Sequence, residues 1–309
     1  MQLINILIKS ILIFYFVFFS QAKAIENKIL FKVNNQIITS IDILNEINYL
    51  SFVNSEFQKL DKQKKFEVSK NSLIREKIKE IDLNKKFKEI KLNEEYLNGL
   101  IKNYSKKIGF ENLNVFKNDL KKNNIEIEVL KKKLTIEAFW NQMIIDKFLK
   151  NVKIDQENIK KNLKNKKKQK EFLFSEILFS LDTNNQLDNK LIEINKTILN
   201  EGFSKAALIH SISDTSKSGG KLEWINEASL NKKIKSAIKN LDIGLNTRPI
   251  LLPGGYLILK INDIREVEKE IDYKKELEKI KIAKTNEQLN QMSNLYFNKI
   301  KKDTIINEL

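Results

Sequence analysis

The chain has 309 residues, 41% of them hydrophobic, with one histidine and no cysteine. These counts exclude disulfide frameworks, thiolate zinc sites and multi-histidine metal sites, and they disfavour a histidine-based catalytic triad. We therefore expect neither a metal nor another cofactor. Because the chain holds 18 Phe but only 8 Gly and 2 Pro, we expect a substantial core built mainly from long helices.

The formal charge is +16, from 56 Lys and Arg against 40 Asp and Glu. Such an excess is typical of nucleic-acid-binding proteins, because lysine side chains neutralise phosphates. However, the densest basic stretch, residues 160–170, contains no aromatic residue for base stacking and lies in no nucleic-acid-binding motif. We therefore expect no nucleic-acid partner and interpret this stretch as a solvated helix end and linker. Anionic membrane surfaces or acidic polypeptide segments are the alternative partners for the charge.

The first 24 residues have the pattern of a secretory signal peptide. Lys9 precedes the apolar run from Ile11 to Phe19, and Ala22 and Ala24 form an A-x-A cleavage site. The competing interpretation is a membrane anchor, but an anchor needs about 20 apolar residues and the uninterrupted run is shorter. We predict cleavage after Ala24, no transmembrane anchor afterwards, and a periplasmic location. Removal of Lys9 and Lys23 lowers the charge from +16 to +14.

Residues 25–170 are predicted to form a helical domain that opens with a short hairpin. Strands over 28–33 and 36–39 flank an Asn-Asn turn, and Thr39 and Asp42 give the capping pattern of a helix start. Beyond residue 61, apolar residues recur at helical spacing in stripes, which we assign to the core rather than to chemistry. The stripes are Phe66, Ile74, Ile78 and Ile81; Tyr96, Leu100 and Tyr104; and Leu130, Leu134, Ala138, Ile145 and Phe148.

The composition changes at Glu171, after which both prolines and most glycines occur. Two short apolar runs of strand length bracket two helical patterns, so residues 171–266 are predicted to form a compact α+β domain. The strand candidates are 172–179 and 256–264, and the helix candidates are 190–200 and 231–241.

Residues 267–309 contain a long polar helix that begins at about Tyr273. Its apolar residues, Leu289, Met292, Tyr296 and Ile300, share one face. Because the helical N-terminal region is the natural partner of that face, we predict that the α+β domain is inserted between two parts of one helical domain. The predicted fold class is therefore α+β multidomain and mostly helical.

Three segments of the α+β domain resemble, in order and spacing, the parvulin-type (PpiC-like) peptidyl-prolyl isomerase, or rotamase, domain. They match the family's helix-plus-serine segment, its GGxLGW turn and its closing GYHI strand. The segments are Phe203–Ala207 with Ser211–Ser216, Gly219–Trp224, and Pro253–Lys260. The resemblance implies a parvulin fold that binds proline-containing peptides.

The start of the helical domain, from Val33 to Asp42, and the later segment Ser72–Glu76 resemble the SurA family of periplasmic chaperones. With the signal peptide, one parvulin module and the returning helix, this resemblance covers nearly the whole chain. It implies a role in protein folding and outer-membrane protein assembly. The implied partners are unfolded outer-membrane polypeptides, through aromatic-rich or proline-containing segments.

The parvulin resemblance also implies positions for a site. The polar cluster is altered, because Glu176 and Leu257 replace the two family histidines and the family's Cys or Asp position falls near Ser213 to Thr215. We therefore take Glu176 and Asp214 as the candidate catalytic residues. The predicted substrate-binding residues are Leu222, Leu230, Ile234 and Leu257.

Two further residues stand out near this predicted site. Glu223 occupies the third glycine position of the GGxLGW turn, and the turn is strained if that position requires positive φ. His210 matches no family position, and we interpret it as an ordinary, partly exposed histidine.

Prolyl isomerisation has a barrier of about 18–20 kcal/mol, which an isomerase lowers by binding the twisted amide better than the planar forms. Because both histidine positions are replaced, we predict that the module binds peptide and isomerises weakly or not at all. An active periplasmic isomerase that uses Glu176 and Asp214 is the enzyme alternative. A structural envelope protein without clients is the third.

Overall fold

The structure is a computed structural model that describes residues 27–157, 159–160, 168–181, 186–268 and 273–309. The predicted signal peptide, residues 1–24, lies outside the described residues, as does most of the basic stretch 160–170. None of the described helices combines the length and the apolar composition needed to cross a bilayer.

The N-terminal region is a hairpin followed by helices. Thr39 and Asp42 form the predicted capping box, in which each side chain accepts a hydrogen bond from the other residue's backbone N–H. The strands are β1 (Ile29–Val33) and β2 (Gln36–Thr39), and the helices are α1 (Ser40–Val53), α2 (Ser55–Gln58), α3 (Lys62–Lys86), α4 (Glu94–Lys107), α5 (Leu113–Lys122) and α6 (Ile127–Phe148).

The following α+β module contains an antiparallel sheet and packed helices. The strands are β3 (Lys168–Phe179), β4 (Lys221–Asn226), β5 (Ile250–Leu252) and β6 (Gly255–Glu268), and the helices are α7 (Leu187–Glu201), α8 (Phe203–His210) and α9 (Lys232–Ile238). The four strands pair in the order β4-β3-β6-β5. Helices α7 and α8 pack on one face of the sheet, and α9 packs near the other face. Short 3-10 turns cover Asp214–Ser218 and Glu227–Ser229.

The chain then returns to the helical region through α10 (Tyr273–Lys302) and β7 (Ile306–Glu308). Leu289 and Phe297 of α10 are buried in the core of the helical region, and Trp140 Nε1 donates to Ser293 Oγ at 2.9 Å. Strand β7, which the sequence did not predict, pairs with β1 and completes a three-stranded sheet. The predicted α+β class, mostly helical with an inserted α+β module, is confirmed. The domain boundaries stay predictions.

The module docks on the helical region through α8 and the 3-10 turn that follows it. Leu208 of α8 is buried in a cluster formed by the helical region. Asn54 Nδ2 donates to the carbonyl of Lys217 at 2.6 Å, and Lys64 Nζ lies 2.6 Å from Glu201 Oε1. The polar turn Asp214–Ser218 is therefore held from outside the module.

Candidate functional site

One face of the four-stranded sheet forms the floor of a cavity of about 460 Å³. Because side chains alternate along a strand, β3 directs Phe174, Glu176 and Leu178 to this face, while Ile177 and Phe179 pack against α7 and α8. The structure brings the predicted substrate-binding residues together around the same cavity. They are Leu222 of β4, Leu230, Ile234 of α9 and Leu257 of β6.

Sequence reasoning missed five large apolar residues that line this cavity, among them Phe174 and Leu178 of β3. Both are buried and both line the cavity. The signal was available, because residues two before and two after Glu176 share its side of a strand.

A small polar cluster stands within the apolar floor. Ser213 Oγ and Thr215 Oγ1 both donate to Glu176 Oε1, at 2.6 and 2.8 Å. Ser213 and Thr215 thus join Glu176 at the position where the resemblance placed a Cys or Asp. The resemblance places this position only near Ser213 to Thr215 and does not single out either hydroxyl.

Burial raises the pKa of Glu176 above that of an ordinary glutamate. The hydrogen bonds from Ser213 and Thr215 act in the opposite direction, and the nearby charge of Asp214 acts with burial. Among the described residues, Glu176 Oε2 has no hydrogen-bond partner. A protonated Glu176 could donate from this oxygen, whereas an ionised one could only accept.

The turn before β4 approaches Glu176 closely. Gly220 has φ +74°, and the backbone N–H of Glu176 donates to its carbonyl at 2.8 Å. A Cβ at Gly220 would lie 2.2 Å from the carbonyl oxygen of Glu176, so only glycine fits here without a backbone shift. Glu223, in contrast, lies inside strand β4 and is not among the described non-glycine residues with positive φ, so the strain considered for it does not arise.

Asp214 also lines the cavity, but its carboxylate is engaged across the docking interface. Its Oδ1 lies 3.3 Å from Arg75 Nε and 3.5 Å from the fully buried Lys79 Nζ, both on α3. Loss of water contacts acts to raise the pKa of Asp214, but the charges of Lys79, Arg75 and Lys217 outweigh it and hold that pKa well below its usual range. The carboxylate of Asp214 thus contacts α3, whereas the hydroxyls of Ser213 and Thr215 contact Glu176, and a catalytic role for Asp214 stays a prediction.

Helix α10 forms a wall of the cavity, so the site is shared between the module and the returning helix. Its contribution is polar and rich in amide side chains. The lining residues from α10 are Ala283, Asn286, Glu287, Asn290, Gln291, Ser293 and Asn294.

A second cavity of about 650 Å³ adjoins the first, with which it shares Leu230, Leu252, Glu287 and Gln291. Its lining is basic, since five lysines outnumber Asp155 and Glu287. The lysines are Lys153, Lys232, Lys233, Lys235 and Lys284. A polypeptide that extends from the first cavity into the second therefore meets positive charge.

His210 lies apart from the cavity floor, at the end of α8. Its Nε2 is 2.9 Å from Thr197 Oγ1. Burial, reinforced by the charge of Lys190, lowers the pKa of His210 to about 4, so the ring is neutral at pH 7. Within the described residues there is no cluster of three or more His, Asp or Glu side chains that could hold a metal ion.

The fold and the cavity together define a class of domain. Residues 150–263 match the family described as "Rotamase: PPIC-type PPIASE domain", so this part of the chain is a parvulin-type domain. A stretch of 63 residues is 35% identical to Chaperone SurA of Pseudomonas aeruginosa, and it covers 20% of this chain and 15% of that protein. The predicted resemblance to SurA-like chaperones with one parvulin module is thus confirmed.

Two solved structures are similar over most of the chain, at low identity. One belongs to work on PEB4 and Cj1289, two SurA-like chaperones of Campylobacter jejuni, with 18% identity, a TM-score of 0.37, and coverage of 92% of this chain and 99% of that chain. The other is the peptidylprolyl isomerase PrsA of Bacillus anthracis, with 20% identity, a TM-score of 0.31, and coverage of 76% and 97%. The assignment of the module rests on the family match.

Proposed function

We propose that this protein is a periplasmic chaperone that binds unfolded outer-membrane polypeptides, and that its parvulin-type module is a peptide-binding groove with weak or no prolyl isomerase activity. The observation that carries the proposal is the floor of the cavity, which is apolar except for Glu176, with no histidine among the described residues that line the cavity. Such a floor accepts a proline ring or an aromatic side chain through burial of apolar surface.

We expect weak isomerisation because of the polar groups that the cavity contains in place of the two family histidines. The family's pair of histidines is replaced by Glu176 and Leu257, and Glu176 Oε1 already accepts from Ser213 and Thr215. Loss of one positioned hydrogen-bonding group costs on the order of ten- to a thousand-fold in rate. The groove can still hold the peptide through apolar contacts, but such contacts stabilise the planar and the twisted amide about equally. They therefore favour binding more than turnover.

A coupled isomerisation assay on a proline peptide tests this proposal with the full chain. We expect little acceleration by the wild type at concentrations where the peptide is bound. The double variant Glu176→His with Leu257→His should gain activity if the missing pair is the cause. Isomerisation by the wild type at the rate of an active parvulin would contradict the proposal.

The surroundings of Glu176 favour the alternative, an active isomerase. Glu176 lines the cavity, burial raises its pKa, and its Oε2 has no hydrogen-bond partner among the described residues. A protonated carboxyl could donate to the substrate carbonyl as the amide twists. This alternative requires that Glu176→Gln, which keeps a donor, retains activity and that Glu176→Ala loses it.

The location and the clients are proposed from the signal-peptide pattern and from the local similarity to Chaperone SurA. Cell fractionation with N-terminal sequencing tests the location, and a mature chain beginning at Ile25 is expected. Suppression of aggregation of a denatured outer-membrane protein tests the client class. A cytosolic protein that still begins at Met1 would contradict the proposed location.

A further inference from the structure

The helical wall of the cavity carries a row of asparagines that is open to solvent, since Asn286 and Asn290 are exposed and Asn294 is half-buried. Asn286, Asn290 and Asn294 recur every fourth residue of α10, and all three line the cavity. Their side chains make no hydrogen bond to another residue in the part of the chain that the structure describes. Neighbouring polar residues of the wall do have such partners: Ser293 accepts from Trp140, and Glu287 accepts from Asn231.

The spacing of this row matches the repeat of an extended polypeptide. Four residues of an α-helix rise about 6.0 Å, and two residues of a β-strand rise about 6.6 Å. A strand lying along α10 therefore presents the same edge of its backbone to each asparagine in turn. The mismatch over three asparagines is about 1 Å, which side-chain rotamers absorb.

The chemistry of the row also matches a polypeptide backbone. A carboxamide side chain both donates and accepts hydrogen bonds, and a backbone edge offers N–H and C=O groups that need both kinds of partner. The sheet face beside the row offers the apolar surface of Phe174, Leu178 and Leu257. Side chains of an extended segment alternate, so one set can enter this floor while the backbone edge faces α10.

We propose that Asn286, Asn290 and Asn294 bind the backbone of an extended segment of an unfolded polypeptide that lies along α10. The inference rests on the proposed function and specifies which residues bind the peptide backbone. Backbone recognition tolerates many side-chain sequences, which suits a site for unfolded chains. It also makes α10, outside the module, part of the peptide site.

The test uses the full chain and a short fluorescein-labelled peptide in which apolar residues surround one proline, with binding followed by fluorescence anisotropy. The variants are Asn290→Ala and the double variant Asn286→Ala with Asn290→Ala. The matched control is Asn298→Ala, which is the same change on the same helix outside the cavity. Alanine is a better helix former than asparagine, so all three variants should fold.

We expect Asn290→Ala to weaken binding about three- to tenfold and the double variant to weaken it further, because a neutral hydrogen bond is worth about 0.5–1.5 kcal/mol. Asn298→Ala should bind like the wild type. A second readout uses two peptides N-methylated at alternate backbone positions, one at the odd residues and one at the even. The wild type should discriminate between them by about tenfold or more, and the double variant should discriminate less.

The outcomes separate the inference from the proposed function. Peptide binding by the wild type that is unchanged in the double variant, with the discrimination between N-methylated peptides intact, would overturn the inference and leave the proposed function standing. No binding of the unmodified peptide by the wild type would overturn both.

Discussion

The interior of the helical region contains a buried lysine between two carboxylates. Lys133 Nζ lies 2.6 Å from Glu46 Oε2 and 2.7 Å from Glu76 Oε2, and Ser72 Oγ donates to Glu46 at 2.6 Å. Burial acts to lower the pKa of Lys133, but the two carboxylates raise it well above its ordinary value. Lys133 therefore stays charged, and the network ties α1, α3 and α6 together.

Removal of this charge should destabilise the protein strongly. Lys133→Met keeps much of the side-chain volume but leaves Glu46 and Glu76 buried without their cation, so we expect a loss of about 3–5 kcal/mol in the free energy of unfolding. The control is Lys131→Met, which removes an exposed pair with Glu128 and should cost less than about 1 kcal/mol. Urea denaturation measures both, and equal effects would contradict a stabilising role for the buried network.

His210 should make stability depend on pH below neutrality. Its pKa is about 4 in the folded chain, against about 6.5 when exposed, so the unfolded state binds more protons between these values. Stability is therefore full above pH 6.5 and falls as pH decreases toward 4.

The loss attributable to His210 between pH 7 and pH 5 should be at most about 2 kcal/mol. His210→Gln, which can still hydrogen-bond Thr197, should reduce this pH dependence. Urea unfolding of both proteins at the two pH values measures it. An identical pH dependence in the variant would show that other groups cause it.

The sequence predicted four of the apolar residues that line the site, but it did not predict the contacts of the charged residues. The four apolar residues were implied by the parvulin resemblance, and the structure places all four around one cavity. The engagement of Asp214 with Arg75 could not be predicted, because it joins residues 139 positions apart across a docking interface. The same limit applies to Lys133, whose partners are defined by helix packing.

At the scale of elements, α10 connects both parts of the molecule. It contributes Leu289 and Phe297 to the core of the helical region, and its neighbour β7 hydrogen-bonds to β1. On its other side, Lys284 Nζ donates to the carbonyl of Ser229 in the module. The long helix was evident from its sequence, whereas β7 has three residues, all exposed, and too little periodicity to reveal a strand.

Ending the chain at Arg265 should therefore destabilise the helical region severely. The truncation uncovers Trp140 and removes Leu289 and Phe297, and each large buried side chain contributes about 1.5–3 kcal/mol. We expect a loss of more than about 5 kcal/mol, seen as a low or non-cooperative thermal transition by circular dichroism. Melting of the truncated chain like the full-length chain would contradict the insertion of the module within one helical domain.

The complementary deletion, of residues 171–266, should leave a folded helical protein. Lys170 and Glu266 are cross-strand partners in β3 and β6, so a short Gly-Ser linker can join Lys170 to Val267 without moving either end. The deletion removes the contact of Asp214 with Lys79, but Lys79 keeps its pair with Glu137 at 2.7 Å. This deletion variant is the control for the truncation. It also serves in the aggregation test of client binding described below.

At the scale of the whole molecule, the proposed chaperone function predicts that client binding is divided between the module and the helical region. The sequence could not predict that the module docks, since docking depends on Leu208, Asn54 and Lys64 meeting distant partners. An extended client contacts a wide surface, and the hairpin and α1 expose apolar side chains of their own. Those side chains are Ile29, Ile37, Ile41 and Leu44.

We therefore expect the variant lacking residues 171–266 to suppress aggregation of a denatured outer-membrane protein. It should suppress aggregation less than the full chain does, but more than buffer alone. The full chain should associate with acidic clients faster at low salt, because the lysine-lined cavity steers negative charge, and the deletion should weaken this salt dependence. Light scattering and stopped-flow fluorescence measure the two effects. Complete loss of suppression in a variant that remains folded would locate client binding in the module and the α10 wall alone.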